Sequence, residues 1–148
     1  MKKVIIYTDG ACSGNPGNGG WGAVLIYNNN VKQLSGYQVA TTNNRMELKA
    51  VINALKQLKE PCEVEINLDS SYVVNAINNN WLRKWSSNGW INSSKQDVKN
   101  KDLWEELLEL IEIHTLIFVK VKGHSGDKYN QICDDLATQE IKAHKTDL

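Results

Sequence analysis

Near the start of the chain, the segment Val4-Ile5-Ile6-Tyr7-Thr8 carries apolar side chains on both faces that a β-strand would present. Successive side chains of a strand point to opposite sides of the sheet, so such a segment is stable only when both sides are covered. It therefore predicts a central strand, and the rest of the chain must supply layers on both sides of it.

The segments that follow predict what surrounds this strand. Residues 10–20 are dense in glycine and other turn residues and predict a loop. Residues 21–27 and 31–39 predict two further strands, joined by a turn at Asn28-Asn29-Asn30. The remaining periodicity predicts, in order, a helix over 41–58, a strand over 64–68, short helices over 70–78 and 81–90, a helix over 101–113, a strand over 116–121 and a helix over 130–142.

Strands followed by alternating helices and strands predict an α/β fold, in which helices cover the faces of a mixed sheet. At 148 residues, without an internal repeat or a linker, the chain is expected to form one domain over residues 1–148. No segment approaches the roughly 18 apolar residues of a membrane span, and the first apolar run is too short for a signal peptide. We therefore expect no membrane association.

The cysteines and the charge balance bear on location and on partners. Cys12, Cys62 and Cys133 form an odd, widely spaced set, which predicts reduced thiols in a cytoplasmic protein. The formal net charge is zero, whereas nucleic-acid-binding proteins usually carry a basic excess. A local excess does exist in a segment that also holds Trp81, Trp85 and Trp90. There a single acid, Asp97, stands among Arg83, Lys84, Lys95, Lys99 and Lys101.

Four acids lie where predicted strands end or helices begin: Asp9, Glu47, Asp69 and Asp134. Each has a structural explanation of its own. Asp9-Gly10 is a turn signal, and Asn44 with Glu47 matches a capping box. Asp69 stands where an N-cap is common, and the macrodipole of the last helix favours an acid at Asp134.

Taken together, the positions of these acids favour a shared function. Asp9 and Asp69 both end strands, and ligands gather at the carboxyl ends of strands in α/β sheets. Glu47 shares a helical face with Val51 and Ala54, which points its carboxylate toward the sheet. Converging carboxylates repel one another, and divalent cations that prefer oxygen ligands remove that cost. We therefore expect Mg²⁺ at this edge of the sheet.

The sequence around these acids resembles type I ribonuclease H, and the resemblance covers essentially the whole chain. The segments that carry the resemblance are Tyr7–Gly17 (YTDGACSGNPG), Thr41–Leu48 (TTNNRMEL), Leu68–Ser70 (LDS), Val121–His124 (VKGH) and Asn130–Ala137 (NxxCDxLA). The resemblance implies a ribonuclease H-like fold, with a five-stranded mixed sheet in the order 3-2-1-4-5 flanked by helices. It also implies an endonuclease that hydrolyses the RNA strand of RNA–DNA hybrids and leaves 5′-phosphate and 3′-hydroxyl ends.

By resemblance, Asp9, Glu47, Asp69 and Asp134 are catalytic carboxylates that hold two Mg²⁺ ions in the presence of substrate, with Mn²⁺ as a possible substitute. His124 resembles a mobile histidine that transfers protons during product release, and its ordinary pKa near 6.5 suits that role. Two other histidines, His114 and His144, match nothing in the pattern and are expected at the surface.

The resemblance also places residues on the hybrid, which a monomer would bind. Cys12, Asn15, Asn43 and Asn44 are expected along the RNA strand, whose 2′-hydroxyl both donates and accepts hydrogen bonds. Thr42 resembles part of a pocket for a phosphate of the DNA strand. The basic segment resembles a protrusion that grips that strand, where Trp81 either packs on deoxyribose or fills the protrusion, while Trp85 and Trp104 mainly pack.

Some residues depart from the family pattern. Ser86-Ser87-Asn88 replaces a basic cluster. This predicts weaker hybrid binding, with a shallower salt dependence, than in a strongly basic homologue. Ser71 stands where glutamine is frequent, and Gln131 and Ile132 replace polar or charged residues.

Three alternatives stay open: a non-catalytic hybrid-binding module, a DNase of the resolvase or integrase kind on the same fold, and a metal-free ribonuclease with paired histidines. Cleavage specificity among hybrid, RNA and DNA substrates separates them.

Overall fold

A five-stranded mixed sheet lies at the centre of the structure, a computed structural model that describes residues 1–122 and 127–145. The elements are, in chain order, β1 (Lys2–Cys12), β2 (Gly17–Tyr27), β3 (Asn30–Thr41), α1 (Asn43–Lys56), β4 (Cys62–Leu68), α2 (Ser71–Asn78), α3 (Trp81–Ser87), α4 (Lys101–Ile113), β5 (Thr115–Lys120) and α5 (Lys128–Ala143). No helix in the described ranges is long and apolar enough to cross a membrane.

The strand order is β3-β2-β1-β4-β5, which confirms the order 3-2-1-4-5. β1 pairs antiparallel with β2, and β2 antiparallel with β3. β1 and β5 both run parallel to β4, so the carboxyl ends of these three strands point to the same edge of the sheet. Asp9 does not end its strand as predicted, because β1 continues to Cys12, but it lies two residues beyond the last β1–β4 pair, Tyr7 with Asn67. Asp69 directly follows β4, so the two acids still reach that edge together.

Helices cover both faces of the sheet. Apolar residues of α1, among them Leu48, Val51 and Leu55, pack with Ile6 of β1 in one hydrophobic core. α5 covers the opposite face over β2 and β1, where Tyr129 contacts the ring of Tyr7 at 5.4 Å. The prediction for the first strand is therefore only partly right, because Ile5 on the α5 face is 40% exposed.

The loop predicted over residues 10–20 is wrong at both ends, since β1 continues to Cys12 and β2 begins at Gly17. Gly10, Gly20 and Gly22 serve close helix packing rather than turns. A Cβ at Gly22 would lie 2.5 Å from the carbonyl oxygen of Cys133 in α5, and one at Gly10 would collide with the backbone of α1. Both helices approach the sheet more closely than a side chain would allow.

The histidine prediction is wrong for His114, which is buried at the end of α4 and accepts a hydrogen bond from the Cys62 backbone N–H at its Nδ1, 3.1 Å away. His144 is half-buried and stacks on Tyr37 with ring centroids 4.0 Å apart. Cys12, Cys62 and Cys133 are all free thiols, as predicted.

Candidate active site

One backbone amide brings Asp9 and Glu47 together. The N–H of Gly10 donates to Asp9 Oδ1 at 3.0 Å and to Glu47 Oε1 at 2.9 Å. The missing side chain at Gly10 allows α1 to come this close to β1. The capping box proposed for Asn44 and Glu47 is wrong, because Thr42 caps α1 and accepts from the Arg45 N–H. Glu47 is thereby left to point inward.

Glu47 is buried, with 5% of its surface exposed, and its second oxygen, Oε2, has no hydrogen-bond partner among the described residues. Burial, followed by repulsion from Asp9, raises the pKa of Glu47 well above its ordinary value. A buried carboxylate oxygen without a partner is costly. A cation would satisfy that oxygen.

Asp9 is half-buried, and its pKa is raised to about 6. Burial is the main cause, and the nearby charge of Asp134 adds to it, while hydrogen bonding with Glu47 and with the Gly10 amide acts in the opposite direction. Both groups thus lie where their charged forms are disfavoured in the metal-free chain.

Asp69 does not cap a helix and Asp134 does not lie in the first turn of one, so the structural explanation given for each is wrong. Ser70 caps α2 through a bond from the Val73 N–H at 3.2 Å, and the Asp69 carboxylate, about half exposed, pairs with Lys120. Asp127 caps α5, whereas Asp134 lies in the second turn of that helix. The macrodipole acts mainly within the first turn, so it does not account for Asp134.

All four acids line one cleft of about 260 Å³, and we call them the cleft acids. The lining residues are Asp9, Gly10, Asn43, Glu47, Asp69, Asn130, Gln131 and Asp134. Within residues 1–122 and 127–145, no three Asp, Glu, His or Cys side chains are already close enough to hold one metal ion. Ion binding here would draw the carboxylates inward. The all-oxygen donor set and the unpartnered Glu47 Oε2 fit Mg²⁺.

The residues expected along the RNA strand gather beside this cleft. Asn15 Oδ1 accepts from the Asn43 backbone N–H at 3.0 Å, which ties the loop after β1 to the start of α1. Cys12 is half-buried, with its Sγ 3.4 Å from the Thr41 carbonyl oxygen. Asn43 and Asn44 are exposed in the first turn of α1, directly after the Thr42 cap. These side chains form one surface around the helix start.

Trp81 stands apart from that surface, on α3, with 42% of its surface exposed. Its ring lies 6.4 Å from that of Trp85, which contacts the fully buried Trp104 at 5.7 Å. Packing roles for Trp85 and Trp104 are thus confirmed. Arg83 pairs with Glu112 at 3.5 Å and Lys101 with Glu105 at 4.0 Å, so acids of α4 neutralise part of the basic segment.

Two cleft residues were not anticipated, and one anticipated residue cannot be placed. Asn130 and Gln131 line the cleft from α5. Asn130 could have been predicted there, because residues four apart on a helix lie on the same face and Asp134 is four residues further on. Gln131 also donates to Asp135 Oδ1 at 3.0 Å. His124 lies outside the described residues.

Comparison with known proteins gives consistent matches over nearly the whole chain. The family model described as RNase H matches residues 1–142. The Ribonuclease H of Acetivibrio thermocellus is 63% identical over 142 residues, covering 96% of this chain and 97% of that protein. The Ribonuclease H of Chlorobium phaeobacteroides is 60% identical over 145 residues, covering 98% and 99%.

Solved structures are similar as well. LC9-RNase H1, described as a type 1 RNase H with the type 2 active-site motif, has a TM-score of 0.85 at 27% identity, covering 97% of this chain and 74% of that one. LC11-RNase H1, solved in complex with RNA/DNA hybrid, has a TM-score of 0.74 at 25% identity, covering 96% and 99%.

Proposed function

The chain belongs to the ribonuclease H family and is an endonuclease that hydrolyses the RNA strand of RNA–DNA hybrids, so we propose a role for the cleft acids in that reaction. They hold two Mg²⁺ ions at the point of cleavage. The observation that carries the proposal is the buried Glu47 Oε2, which has no hydrogen-bond partner within residues 1–122 and 127–145, in a cleft lined by four carboxylates. When bound, a pair of such ions activates a water and stabilises the leaving oxygen of a phosphodiester. Mn²⁺ has the same ligand preference and is the alternative ion.

The chain's own residues set up this chemistry. The Gly10 amide holds one oxygen each of Asp9 and Glu47, which leaves their other oxygens for cations. Because the pKa values of both carboxyls are raised, cation binding and proton release are coupled at this pair.

Recognition of the RNA strand is proposed for the surface around the start of α1. The hydrogen bond from the Asn43 backbone N–H fixes the amide side chain of Asn15 beside the start of α1, where the Asn43 side chain lines the cleft and Asn44 is exposed. Amide groups both donate and accept, as a 2′-hydroxyl requires. We place the DNA-strand phosphate near Thr42 and assign Trp81 to the DNA strand because its ring is exposed.

His124 is proposed as the residue that transfers a proton during product release. The proposal comes from the Gly-His-Ser-Gly wording at residues 123–126 alone. His124→Ala is expected to slow turnover without abolishing it, measured as steady-state cleavage of a labelled hybrid. Complete inactivity would contradict a role confined to proton transfer.

One assay tests the reaction. The protein is incubated with MgCl₂ and four end-labelled substrates: RNA–DNA hybrid, double-stranded RNA, double-stranded DNA and single-stranded RNA. We expect cleavage of the hybrid alone, with 5′-phosphate and 3′-hydroxyl ends. Equal cleavage of the DNA duplex would support a DNase on this fold, and no cleavage of any substrate would support a binding module.

The variant Asp9→Asn tests the metal site directly. It removes one charged ligand while keeping the hydrogen-bonding shape of the side chain, so turnover should be lost. Hybrid binding in a chelator should persist, because the surface around α1 and the basic segment is unchanged. Lost binding together with lost turnover would mean that the change disrupts more than cation binding.

We further propose a cytoplasmic monomer with one domain over residues 1–148. Three free thiols suit a reducing compartment. One hydrophobic core joins residues from β1, β2, β4, β5 and helices α1 to α4, which supports a single domain. Light scattering after gel filtration, expected to give the mass of one chain, 16.7 kDa, tests the monomer.

A further inference from the structure

Lys120 makes an ion pair with one of the cleft acids. Its Nζ lies 3.2 Å from Asp69 Oδ1, and the two side chains are 44% and 47% exposed. In the described part of the chain no other lysine or arginine forms an ion pair with Asp9, Glu47, Asp69 or Asp134. A positive charge therefore already occupies one oxygen of a carboxylate that would hold the cation.

The backbone fixes this pair in place. β4 and β5 are parallel with Leu68 opposite Lys120, and the Val121 N–H donates to the Leu68 carbonyl oxygen at 2.9 Å. Asp69 and Lys120 thus leave neighbouring strands at the same level of the sheet. The register, rather than a chance meeting of long side chains, brings the ammonium to the carboxylate.

The geometry points to Lys120 as a positioning residue that holds Asp69 in the metal-free enzyme and that a divalent cation must displace from it. The inference rests on the proposed metal site. The observation behind it is that Asp69 lines the cleft with the other three acids while one of its carboxylate oxygens is already paired with Lys120.

Two electrostatic effects act in the same direction. In the metal-free state Lys120 offsets the mutual repulsion of the cleft acids and so stabilises that state. In the metal-bound state its charge repels the incoming cation. Both effects weaken cation binding, so removing the charge should strengthen it. The change is limited to the size of an exposed ion pair, which corresponds to roughly a two- to fivefold change in affinity.

Calorimetric titration of the intact protein with MgCl₂, without nucleic acid, tests the inference. Lys120→Met keeps the length of the side chain and removes its charge, and it should bind Mg²⁺ roughly two- to fivefold more tightly than the unchanged protein. Lys120→Arg keeps the charge and should bind like the unchanged protein. Lys56→Met is the matched control. Lys56 is 50% exposed and its Nζ lies 2.6 Å from Glu106 Oε1, so it pairs with an acid outside the cleft. The Mg²⁺ affinity of this variant should not change.

Melting temperatures give a second readout. In a chelator, without metal, Lys120→Met should melt at a lower temperature than the unchanged protein. In MgCl₂ without chelator, the melting temperature of Lys120→Met should rise by more than that of the unchanged protein. Equal or weaker Mg²⁺ affinity in Lys120→Met would overturn the inference, and so would an equal gain in Lys56→Met.

Asp9→Asn separates this failure from failure of the metal site. If the unchanged protein binds Mg²⁺, Asp9→Asn does not, and Lys120→Met behaves like the unchanged protein, the inference alone is wrong. If the unchanged protein and Asp9→Asn bind Mg²⁺ equally, the proposed metal site is wrong and the inference falls with it.

Discussion

The carboxyl groups of Asp9 and Glu47 are held in surroundings that disfavour their charged forms. This arrangement favours cation binding, because two carboxylates cannot neutralise each other's charge and so keep their affinity for a cation. The cost falls on the metal-free protein, which must hold two neighbouring acids together with one shared hydrogen-bond donor, the Gly10 amide. Function and stability are opposed at these residues, as is common at active sites.

This opposition predicts a pH dependence of the metal-free protein. The pKa of Asp9 is raised from 3.8 to about 6, so the folded chain binds more protons than the unfolded chain between those values. The contribution of Asp9 to stability therefore falls as the pH rises through that window and stays low above it. Glu47 acts in the same direction.

In a chelator at pH 7.5, Asp9→Asn should melt a few degrees above the unchanged protein, about 2–4 °C for each kcal/mol of relieved cost. The difference should narrow at pH 5. Asp102→Asn is the control of opposite sign, because Arg45 lowers the pKa of Asp102, and loss of that pair should not stabilise the protein. A melting temperature of Asp9→Asn below that of the unchanged protein at pH 7.5 would contradict the prediction.

At the scale of elements, the site depends on how closely two helices approach the sheet. Gly10 admits α1, and Gly20 and Gly22 admit α5. Each helix carries a cleft acid, Glu47 on α1 and Asp134 on α5. The glycines of the first two strands therefore set the distance between acids that lie far apart in the sequence.

Gly22→Ala tests this dependence. Its new Cβ would lie 2.5 Å from the Cys133 carbonyl oxygen and 2.7 Å from Leu136 Cβ, so α5 must shift and carry Asp134 with it. We expect a stability loss of about 1–3 kcal/mol in urea unfolding, typical of overpacking. Mg²⁺ affinity should fall as well.

Gly36→Ala serves as the control for that change. The methyl group there meets the ring of Trp21, a side chain, instead of the backbone of a helix. It should lower stability while Mg²⁺ affinity is retained. Equal effects of the two changes on Mg²⁺ affinity would mean that α5 does not set the position of Asp134.

For the whole molecule, charge is balanced overall and only weakly concentrated. The chain holds 17 basic and 17 acidic residues. Within the basic segment, Arg83 and Lys101 are already paired with acids of α4, and Ser86 and Ser87 are exposed on α3 where further cations would fit. Few counterions are therefore released when the protein binds a polyanion.

We predict that the protein binds hybrid more weakly, and with a shallower salt dependence, than a strongly basic homologue does. The measurement is fluorescence anisotropy of Asp9→Asn with labelled hybrid, between about 50 and 200 mM KCl. Adding Ser86→Lys and Ser87→Lys should raise affinity and steepen the slope of log K against log salt by up to about 0.9 for each new phosphate contact. An unchanged slope in this charged variant would show that α3 does not approach the hybrid.

Much of the fold and of the site follows from local sequence pattern. The apolar period of residues 41–58 predicts α1 and turns Glu47 inward, and strand ends predict Asp9 and Asp69 at one edge. These features depend on side chains within a few positions of each other, so a local pattern is sufficient. The strand order came with the family resemblance, not from the pattern.

Tertiary structure alone decided the contacts between distant segments. Residues 10–20 look like a loop because glycine is common in turns, yet α1 and α5 require those glycines in strands. His114 looks like a surface residue until β4 brings the Cys62 amide to its ring. Lys120 meets Asp69 only through the register of β5 on β4. In each case the partner lies tens of residues away, and its distance is set by packing and strand register, which no local pattern contains.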